Sequence, residues 1–334
     1  MPKANLNDLR DLAVRAFIRA DTSEQNAASV ADALIAAEAD GIRSHGLSRL
    51  PSYADQAISG KVDGHASPTI ERPAAAVVRV DACSGFAYPA IGAGLDAAAE
   101  TVRDVGVVAV GIGRSHHSGV AGHHVERMAK LGLIAIGLNN SPAGIAPWGG
   151  NRALYGTNPI AFACPRRDAL PIVVDLSLSK VARGKVKLAA DKGEPIPDGW
   201  AVDADGRPTN DAAAAMAGSM VPMGDAKGAA LVLMVEILAA TLTGSQYGYE
   251  ASSFFTAEGE PPHVGQFFIV LDPDRLAGEG FLDRLSQLTN AILEQPDTRL
   301  PGDRRYAIRE QFWRDGVEVP EDLYLDLKRR AGAE

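Results

Sequence analysis

Residues 106–138, GVVAVGIGRSHHSGVAGHHVERMAKLGLIAIGL, determine the fold class. The apolar run at 107–112 follows a glycine and is typical of a buried strand. The spacing of apolar residues then indicates a helix at 123–131, and a second apolar run at 133–138 predicts another strand. Strands that alternate with helices in this way favour a mixed α/β layer structure.

The same criteria predict further elements on both sides of this stretch. They place strands at 76–81, near Phe162, at 172–175 and at 265–271, and helices at 6–20, 24–40, 50–59, 89–105, 229–243, 281–293 and 306–315. The helix at 229–243 is apolar nearly all round, which predicts that it is buried.

Polar and glycine-rich segments predict the ends of these elements. Thr22, with Gln25 three residues later, fits a capping box that opens the second helix, and Gly41 ends that helix as a C-cap. Residues 61–73 are polar and contain Pro and Gly, which indicates a linker or surface loop. Residues 192–224 are rich in Gly, Pro and Asp and indicate a long functional loop or arm.

Composition and charge argue against several classes of partner. The net charge of −9, without a block of five or more Lys or Arg, argues against nucleic acid and against an anionic membrane. The start lacks the apolar segment of a secretory signal, and the apolar residues 229–244 are too few to span a bilayer. We therefore expect a cytoplasmic protein, in which Cys164 lies in an apolar run and is a buried, reduced thiol.

The first candidate site follows the helix that ends at Gly41. Ser44, His45, Arg49 and Tyr53 place a hydroxyl, an imidazole, a guanidinium and a phenol within ten residues. Imidazole transfers protons near neutral pH, and a guanidinium holds a carboxylate with two parallel hydrogen bonds. This pair suits the reduction of a 2-oxo acid; the alternative is that Ser44 caps a helix and His45 is an ordinary surface residue.

The second candidate site is the loop at 113–124, which follows a strand and precedes a helix. Its small residues allow a ligand to approach the backbone, and the first amides of the following helix suit a phosphate. Four histidines with Glu126 nearby leave a metal site open, although no cysteine lies close by. We expect His117 to be functional and His123 and His124 to be solvated helix residues.

Three further turns carry polar residues after apolar runs. They lie at 139–142, 147–150 and 156–159, and a fourth polar segment follows a strand at 175–179; each is either a connecting loop or part of a ligand site. Lys227 stands at the start of the apolar helix, where a cation is unfavourable unless an anionic ligand binds there. A Gly-x-Gly-x-x-Gly fingerprint is absent, so the residues themselves support an α/β enzyme with a histidine-based site and an anionic small ligand, without a standard Rossmann site.

Taken in order, these stretches resemble the type 2 malate/L-lactate dehydrogenase family, which includes sulfolactate, ureidoglycolate and diketogulonate dehydrogenases. The resemblance covers nearly the whole chain and rests on the motifs at 43–46, 115–119, 156–159, 175–177, 224–228 and 300–302. It implies an α/β fold with a non-Rossmann NAD(P)-binding domain and a helical or mixed second domain.

The domain division implied by the resemblance has three parts. Residues 1–75 form the N-terminal helical part of the substrate and dimer domain. Residues 76–225 form the central NAD(P)-binding domain, with the long arm near 192–224. Residues 226–334 pack back on the first domain.

The resemblance further implies a homodimeric, NAD(P)H-dependent oxidoreductase that interconverts a 2-oxo acid and a 2-hydroxy acid. His45 or His117 moves the proton, with Ser44 beside His45; the two histidines are not ranked. The residues that contact the small anionic substrate are Arg49, Tyr53, Thr157 and Lys185. No metal is expected.

The implied cofactor is NADPH or NADH. The residues expected to bind it are His117, Ser118, Gly119, Val120, Ala121, Ser141, Asp175, Leu176, Ser177, Lys227, Arg304 and Arg305. NADPH is favoured because Arg304 and Arg305 suit a 2′-phosphate.

Relatives within this family reduce cyclic imines, Δ1-piperideine-2-carboxylate and Δ1-pyrroline-2-carboxylate, and they give the alternative function. Their pattern has an Asp where this chain has Lys185, and a cation suits a carbonyl substrate with a second anionic group better. Two other classes remain: a catalytically silent nucleotide-binding protein and a metal-dependent hydrolase.

Overall fold

A computed structural model describes residues 3–333 and places a seven-stranded mixed sheet at the centre of the protein. The predicted parts 1–75 and 226–334 include three terminal residues that lie outside the described residues: Met1, Pro2 and Glu334. The strands in chain order are β1 Lys3–Ala4, β2 Thr69–Ala74, β3 Val77–Asp81, β4 Val107–Ser115, β5 Ile134–Asn139, β6 Ile160–Arg166, β7 Ala169–Leu176, β8 Ala201–Val202, β9 Pro208–Thr209, β10 Ser219–Met220, β11 Val264–Leu271 and β12 Val317–Glu318.

Helices cover both faces of the sheet and form a layer of their own. In chain order they are α1 Leu6–Arg19, α2 Glu24–Ala39, α3 Leu50–Ile58, α4 Ala87–Val105, α5 Ala121–Lys130, α6 Arg183–Lys192, α7 Ala212–Ala217, α8 Asp225–Glu236, α9 Pro273–Ala277, α10 Phe281–Leu293, α11 Asp303–Asp315 and α12 Glu321–Arg330. A π-helical turn at Ile237–Thr241 extends α8. Among residues 3–333, no helix is long and apolar enough to cross a membrane.

The sheet runs in the order β2-β3-β4-β11-β5-β6-β7. Only β3 and β4 pair in parallel among these neighbours in the described chain, and α4 makes the crossover that a parallel pair requires. All other neighbours in the sheet are antiparallel. Because β11 lies between β4 and β5, a strand from late in the chain completes the middle of the sheet.

Apolar residues on the strands alternate between two cores. Val108, Val110 and Ile112 face α4 and α5, together with Phe268 of β11. Residues at the alternate positions of the strands, such as Phe267, face α8 and the segment that follows β7. The period of two along each strand places both sets in the interior and gives a three-layer structure.

A third core joins the two ends of the chain. Leu9 and Phe17 of α1, Leu34 of α2 and Leu327 of α12 are buried in it. The pairing of β1 with β12 adds hydrogen bonds between the same two ends. The C-terminal residues therefore pack against the N-terminal helices.

Three predictions about local structure were wrong. Thr69–Ala74, which overlaps the end of the predicted 61–73 loop, is an edge strand whose residues are all exposed, so no apolar alternation marked it. The cap of α2 is Ser23, whose Oγ accepts from the Asn26 amide, whereas Thr22 bonds to the Ala20 carbonyl. The helix at 229–243 is not buried on all sides: in the single chain it buries residues such as Val232 and exposes others such as Ile237.

The segment predicted as a long arm contains regular structure. Its short strands form a three-stranded sheet in the order β10-β8-β9, and α7 connects β9 to β10. Ala201 and Met220 belong to the core on the α8 side of the large sheet. Two-residue strands are too short to produce a periodic sequence signal, which explains why the pattern indicated only a loop.

Candidate active site

The turn at residues 41–49 carries the first group of predicted site residues. Gly41 has φ +72°, a conformation that suits glycine, and it ends α2 as predicted. Two short 3₁₀ helices follow, Arg43–His45 and Leu47–Arg49. The buried Glu38 carboxylate accepts the Leu47 amide at 2.7 Å and fixes the turn from inside.

Two histidines from distant parts of the chain meet at this turn. The ring centroids of His45 and His117 are 5.3 Å apart. Ser44 Oγ and His45 Nδ1 are 3.0 Å apart, and the hydroxyl of Tyr53 forms a hydrogen bond with Nδ1 of His117. The structure therefore brings together four of the predicted catalytic and substrate-binding residues.

Both imidazoles are neutral at pH 7 in this arrangement. Burial, with the nearby positive charge of Arg49, lowers the pKa of His45 to about 4. The same two causes, in the same order, hold the pKa of His117 well below its usual value. Burial raises the pKa of Tyr53, so its phenol keeps its proton.

Arg49 lies beside these histidines with part of its guanidinium unpaired. Its Nε donates to the Ser44 carbonyl at 2.7 Å, and its Cζ lies 4.3 Å from the centroid of the Phe255 ring. Its buried Nη1 has no hydrogen-bond partner within residues 3–333. A buried guanidinium nitrogen without an acceptor fits an anionic ligand such as a carboxylate.

His116 also belongs to this site, although only His117 was singled out in the sequence. Its Nε2 lies 2.9 Å from Gln56 Oε1, and burial lowers its pKa to about 3. Gln56 Nε2 donates to two carbonyls, of Ser52 and Phe254, which orients its Oε1 toward His116. The signal available in the sequence was the position of His116, which directly follows a buried strand.

A second group of predicted residues lies on the turns after β5 and before β6. Ser141 Oγ accepts the Thr157 amide at 3.2 Å. Arg183, at the start of α6, donates to the Ala143 carbonyl at 3.1 Å and so lies beside the same turn. The structure thus joins Ser141 and Thr157 and adds Arg183, which was not among the predicted site residues.

A buried carboxylate holds these turns in place. Glu236 accepts from the side-chain amide of Asn158 and from the backbone amide of Gly248, both at 2.7 Å. Burial raises its pKa, while these hydrogen bonds act in the opposite direction. The sequence signal for this role was a single carboxylate within an otherwise apolar helix.

A third group lies where α5 begins. Asp175 Oδ2 accepts the Gly122 amide at 3.0 Å and is 3.9 Å from Nη1 of Arg305. That Nη1 atom is buried and lacks a hydrogen-bond partner in the described part of the chain. Ser118, Gly119, Val120 and Ala121 lead into this helix end, and Gly119 has φ +67°.

Buried ion pairs connect this helix to the turn at 41–49. Arg309 of α11 donates to Asp40 and to Glu126, with Nε–Oδ1 at 2.5 Å and Nη1–Oε1 at 2.6 Å. His123 Nε2 lies 2.7 Å from Asp40. The prediction that His123 and His124 are solvated was therefore wrong: His124 bonds to a backbone carbonyl, and burial lowers its pKa to about 4.

Other predicted residues do not join these groups. Lys185 in the first turn of α6, Lys227 in the first turn of α8 and Arg304 of α11 are exposed and make no side-chain hydrogen bond or salt bridge within the described residues. Leu176 is 42% exposed, and Ser177 Oγ bonds locally to Ser179, with the hydroxyl at 2.9 Å and the backbone amide at 3.3 Å. Among residues 3–333, no group of three or more His, Cys, Asp or Glu side chains is placed to hold a metal ion.

The fold and the first group define an α/β enzyme that sets neutral imidazoles beside an arginine whose buried Nη1 has no hydrogen-bond partner in the described residues. The family model described as malate/L-lactate dehydrogenase matches residues 4–328, and the chain belongs to this family. The predicted family, the predicted fold class and the prediction of a dehydrogenase or reductase are thereby confirmed.

Similar proteins match nearly the whole chain. This chain is 54% identical to "(2R)-3-sulfolactate dehydrogenase (NADP(+))" of Chromohalobacter salexigens. The match extends over 327 residues, which are 98% of this chain and 97% of the other. This chain is 41% identical, over 97% of this chain and 95% of the other, to a Δ1-pyrroline-2-carboxylate/Δ1-piperideine-2-carboxylate reductase of Pseudomonas syringae pv. tomato.

Solved structures agree with this assignment. The Δ1-piperideine-2-carboxylate reductase from Pseudomonas syringae has a TM-score of 0.93 at 39% identity, covering 99% of this chain and 100% of that one. The sulfolactate dehydrogenase from Methanocaldococcus jannaschii has a TM-score of 0.91 at 28% identity, with 99% of this chain and 97% of that one covered.

Proposed function

We propose that the protein is an NADP(H)-dependent oxidoreductase that interconverts a small 2-oxo acid and its 2-hydroxy acid. The observation that carries this proposal is the unpaired Nη1 of Arg49 beside two neutral imidazoles. A substrate with a second anionic group, of the sulfolactate type, is favoured because the relative of 54% identity is named for that substrate and for NADP(+).

In this mechanism Arg49 binds the substrate carboxylate and fixes its orientation. When Nδ1 of His117 carries the ring proton and donates to the Tyr53 hydroxyl oxygen, Nε2 of that imidazole is free to accept a proton. In the oxidation direction a neutral histidine, His45 or His117, accepts the proton of the substrate hydroxyl, and in the reduction direction it returns that proton. Ser44 orients His45 through its hydroxyl.

The residues present fit a dinucleotide phosphate cofactor. The buried Nη1 of Arg305 lies 3.9 Å from Asp175 Oδ2 and has no hydrogen-bond acceptor in the described residues, and a phosphate oxygen would provide one. With Arg305, the residues that hold the cofactor in this proposal are His117, Ser118, Gly119, Val120, Ala121, Ser141, Asp175, Leu176, Ser177, Lys227 and Arg304. When bound, the nicotinamide supplies or accepts a hydride.

We further propose a homodimer located in the cytoplasm, with the domain division given by the resemblance. The exposed apolar residues of α8 and its π-helical extension support the dimer, because several exposed large apolar side chains on one helix indicate an interaction surface. They are Leu231, Leu233 and Met234 of α8, Ile237 of the π-helical turn, and Leu242, which directly follows that turn. A second copy of the chain, covering this face in a symmetric contact, accounts for a helix that is apolar nearly all round.

Cyclic imine reduction is the second candidate function. It is favoured by the 41% identity to a Δ1-pyrroline-2-carboxylate/Δ1-piperideine-2-carboxylate reductase, whose substrates also carry a carboxylate. By the family resemblance the imine reductases have an Asp where this chain has Lys185. This sequence difference argues against imine reduction, although Lys185 is exposed and joins none of the three groups of site residues.

A substrate panel distinguishes the two functions. NADPH and NADH oxidation is measured with pyruvate, oxaloacetate, sulfopyruvate, Δ1-piperideine-2-carboxylate and Δ1-pyrroline-2-carboxylate. We expect turnover of 2-oxo acids, sulfopyruvate foremost, and a higher kcat/KM with NADPH. Turnover of the imines alone overturns the leading proposal, and Lys185→Asp then serves to test which group at that position selects the substrate.

A further inference from the structure

Residues 253–258, called the strap here, form one wall of the candidate active site. The strap has no helix or strand, yet it places two aromatic rings against the site. The Phe254 ring centroid lies 4.9 Å from that of His117, and the exposed Phe255 ring lies under the guanidinium of Arg49. An irregular segment that contributes both rings needs something to hold its backbone in place.

Lys61 holds this backbone. The residue is only 3% exposed, and its Nζ donates to the carbonyls of Ser253 at 2.7 Å, Thr256 at 3.0 Å and Glu258 at 2.8 Å. Three acceptors match the three N–H bonds of an ammonium group, which satisfies a buried cation without a carboxylate. Within residues 3–333, no carboxylate oxygen forms a salt bridge with Lys61.

Neighbours of Lys61 complete the attachment. Ser59 Oγ donates to the Ala257 carbonyl at 3.1 Å, and Gln56 Nε2 donates to the Phe254 carbonyl at 2.9 Å. Five carbonyls of the strap therefore accept hydrogen bonds from side chains of residues 56–61. These contacts replace the hydrogen bonds that regular secondary structure would give to a buried backbone.

We propose that Lys61 is a positioning residue for substrate binding, in that its ammonium group fixes the strap so that Phe255 orients Arg49 and Phe254 packs on His117. This inference rests on the proposed function, in which Arg49 binds the substrate carboxylate. Loss of the ammonium frees the strap, and Arg49 then loses the ring that limits its rotamers. Loss of the ammonium group therefore weakens substrate binding by a larger factor than it slows the proton-transfer step.

The test compares Lys61→Met with Lys187→Met, a control on an exposed lysine that pairs with Asp191 on the surface of α6. Hydrogen exchange of peptides covering the strap is measured first, on the protein without substrate. We expect exchange in K61M to be at least about tenfold faster in the strap and unchanged in the central sheet, while K187M matches the wild type.

Kinetics give the second measurement. We expect KM for the 2-oxo acid to rise on the order of tenfold in K61M, with a change in kcat of less than about threefold. Lys61→Arg, which keeps a charged donor for the carbonyls, restores part of the wild-type KM. If K61M does not fold, Lys61→Gln, which retains two N–H donors, is expected to show the same two effects at smaller size.

The outcomes separate the two proposals. If no 2-oxo acid is turned over by the wild type, the proposed function fails, whereas the exchange experiment still decides whether Lys61 holds the strap. Wild-type exchange in the strap of K61M overturns the inference. So does a fall in kcat at constant KM, because Lys61 would then act on the chemical step and not on substrate binding.

Discussion

Substitution of Arg309 by Met removes the cation that holds two buried carboxylates together. Arg309 makes four hydrogen bonds, two to Asp40 and two to Glu126, between 2.5 and 2.9 Å long. Both carboxylate groups are nearly inaccessible, with side chains 0% and 3% exposed. We expect R309M to fold with a lower free energy of unfolding, because it leaves two like charges in the interior.

The size of the loss follows from what remains after the substitution. Breaking a buried ion pair on one side costs about 3–5 kcal/mol. Asp40 keeps His123 at 2.7 Å, and Glu126 keeps Lys130 at 2.7 Å. These remaining partners place the expected loss at the lower end, about 3 kcal/mol at pH 7.

The loss depends on pH in a defined direction. Burial is the largest single effect and pushes the pKa of Asp40 and of Glu126 upward. The hydrogen bonds and positive charges of Arg309, together with those of His123 at Asp40 and of Lys130 at Glu126, outweigh burial, and both pKa values are lowered. Such groups stabilise the fold above their unfolded pKa values, about 3.9 and 4.3, and this contribution is lost as pH falls through the folded values. In R309M protonation relieves the repulsion, so the deficit is expected to shrink between pH 7 and pH 4.

Urea unfolding followed by far-UV circular dichroism, at one protein concentration, measures the deficit at both pH values. Arg314→Met is the matched control, because Arg314 lies on the same helix, is exposed and pairs only with Asp315 among the described residues. R314M is expected to unfold like the wild type. A deficit below about 1 kcal/mol for R309M at pH 7, or one that is equal at pH 4, would refute the reasoning.

Three further predictions concern the site itself. Of His45→Ala and His117→Ala, the variant that loses the proton-transferring group is expected to have kcat lowered by about 10²–10⁴. Wild-type kcat/KM for oxidation is expected to fall as the pH drops through about 4, where His45 becomes protonated. Near-normal kcat in both variants would contradict a histidine as the proton-transferring group. Tyr53→Phe leaves Nδ1 of His117 unpaired and lowers kcat/KM about tenfold in steady-state assays, with the thermal midpoint as the check on folding. Glu236→Gln sets an N–H₂ group against the side-chain amide donor of Asn158 and is expected to lower the free energy of unfolding in urea by about 1–3 kcal/mol. An unchanged urea midpoint would mean that the Glu236 carboxyl group is protonated in the wild type.

Elements with a strong period could be predicted from the sequence, and weakly patterned ones could not. The buried strand at 107–112 and the helix end at Gly41 have local signals, a continuous apolar run and a glycine at positive φ. The exposed edge strand β2 and the two-residue strands β8 to β10 have no such period. The exposure of α8 was missed because an apolar sequence does not distinguish burial within the chain from burial by another molecule.

The residues of the candidate site also differ in how well the sequence predicts them. Ser44, His45 and His117 have side chains suited to proton transfer, and their motifs occur in a recognisable order, so their proximity could be anticipated. Lys61 carries no comparable signal: it bonds to carbonyl oxygens of residues far along the chain, and any residue type supplies a carbonyl. When a residue takes part in a contact only through its backbone carbonyl, its side-chain type does not indicate the contact.

The position of β11 determines when the sheet can form. β4 and β5 leave the ribosome long before β11, which occupies the place between them. Until then each presents an open edge to other chains, and closing so long a loop makes pairing slow. Chains that end before residue 264 therefore expose two unpaired edges and are prone to aggregate, so that completion of the sheet depends on nearly complete synthesis of the chain.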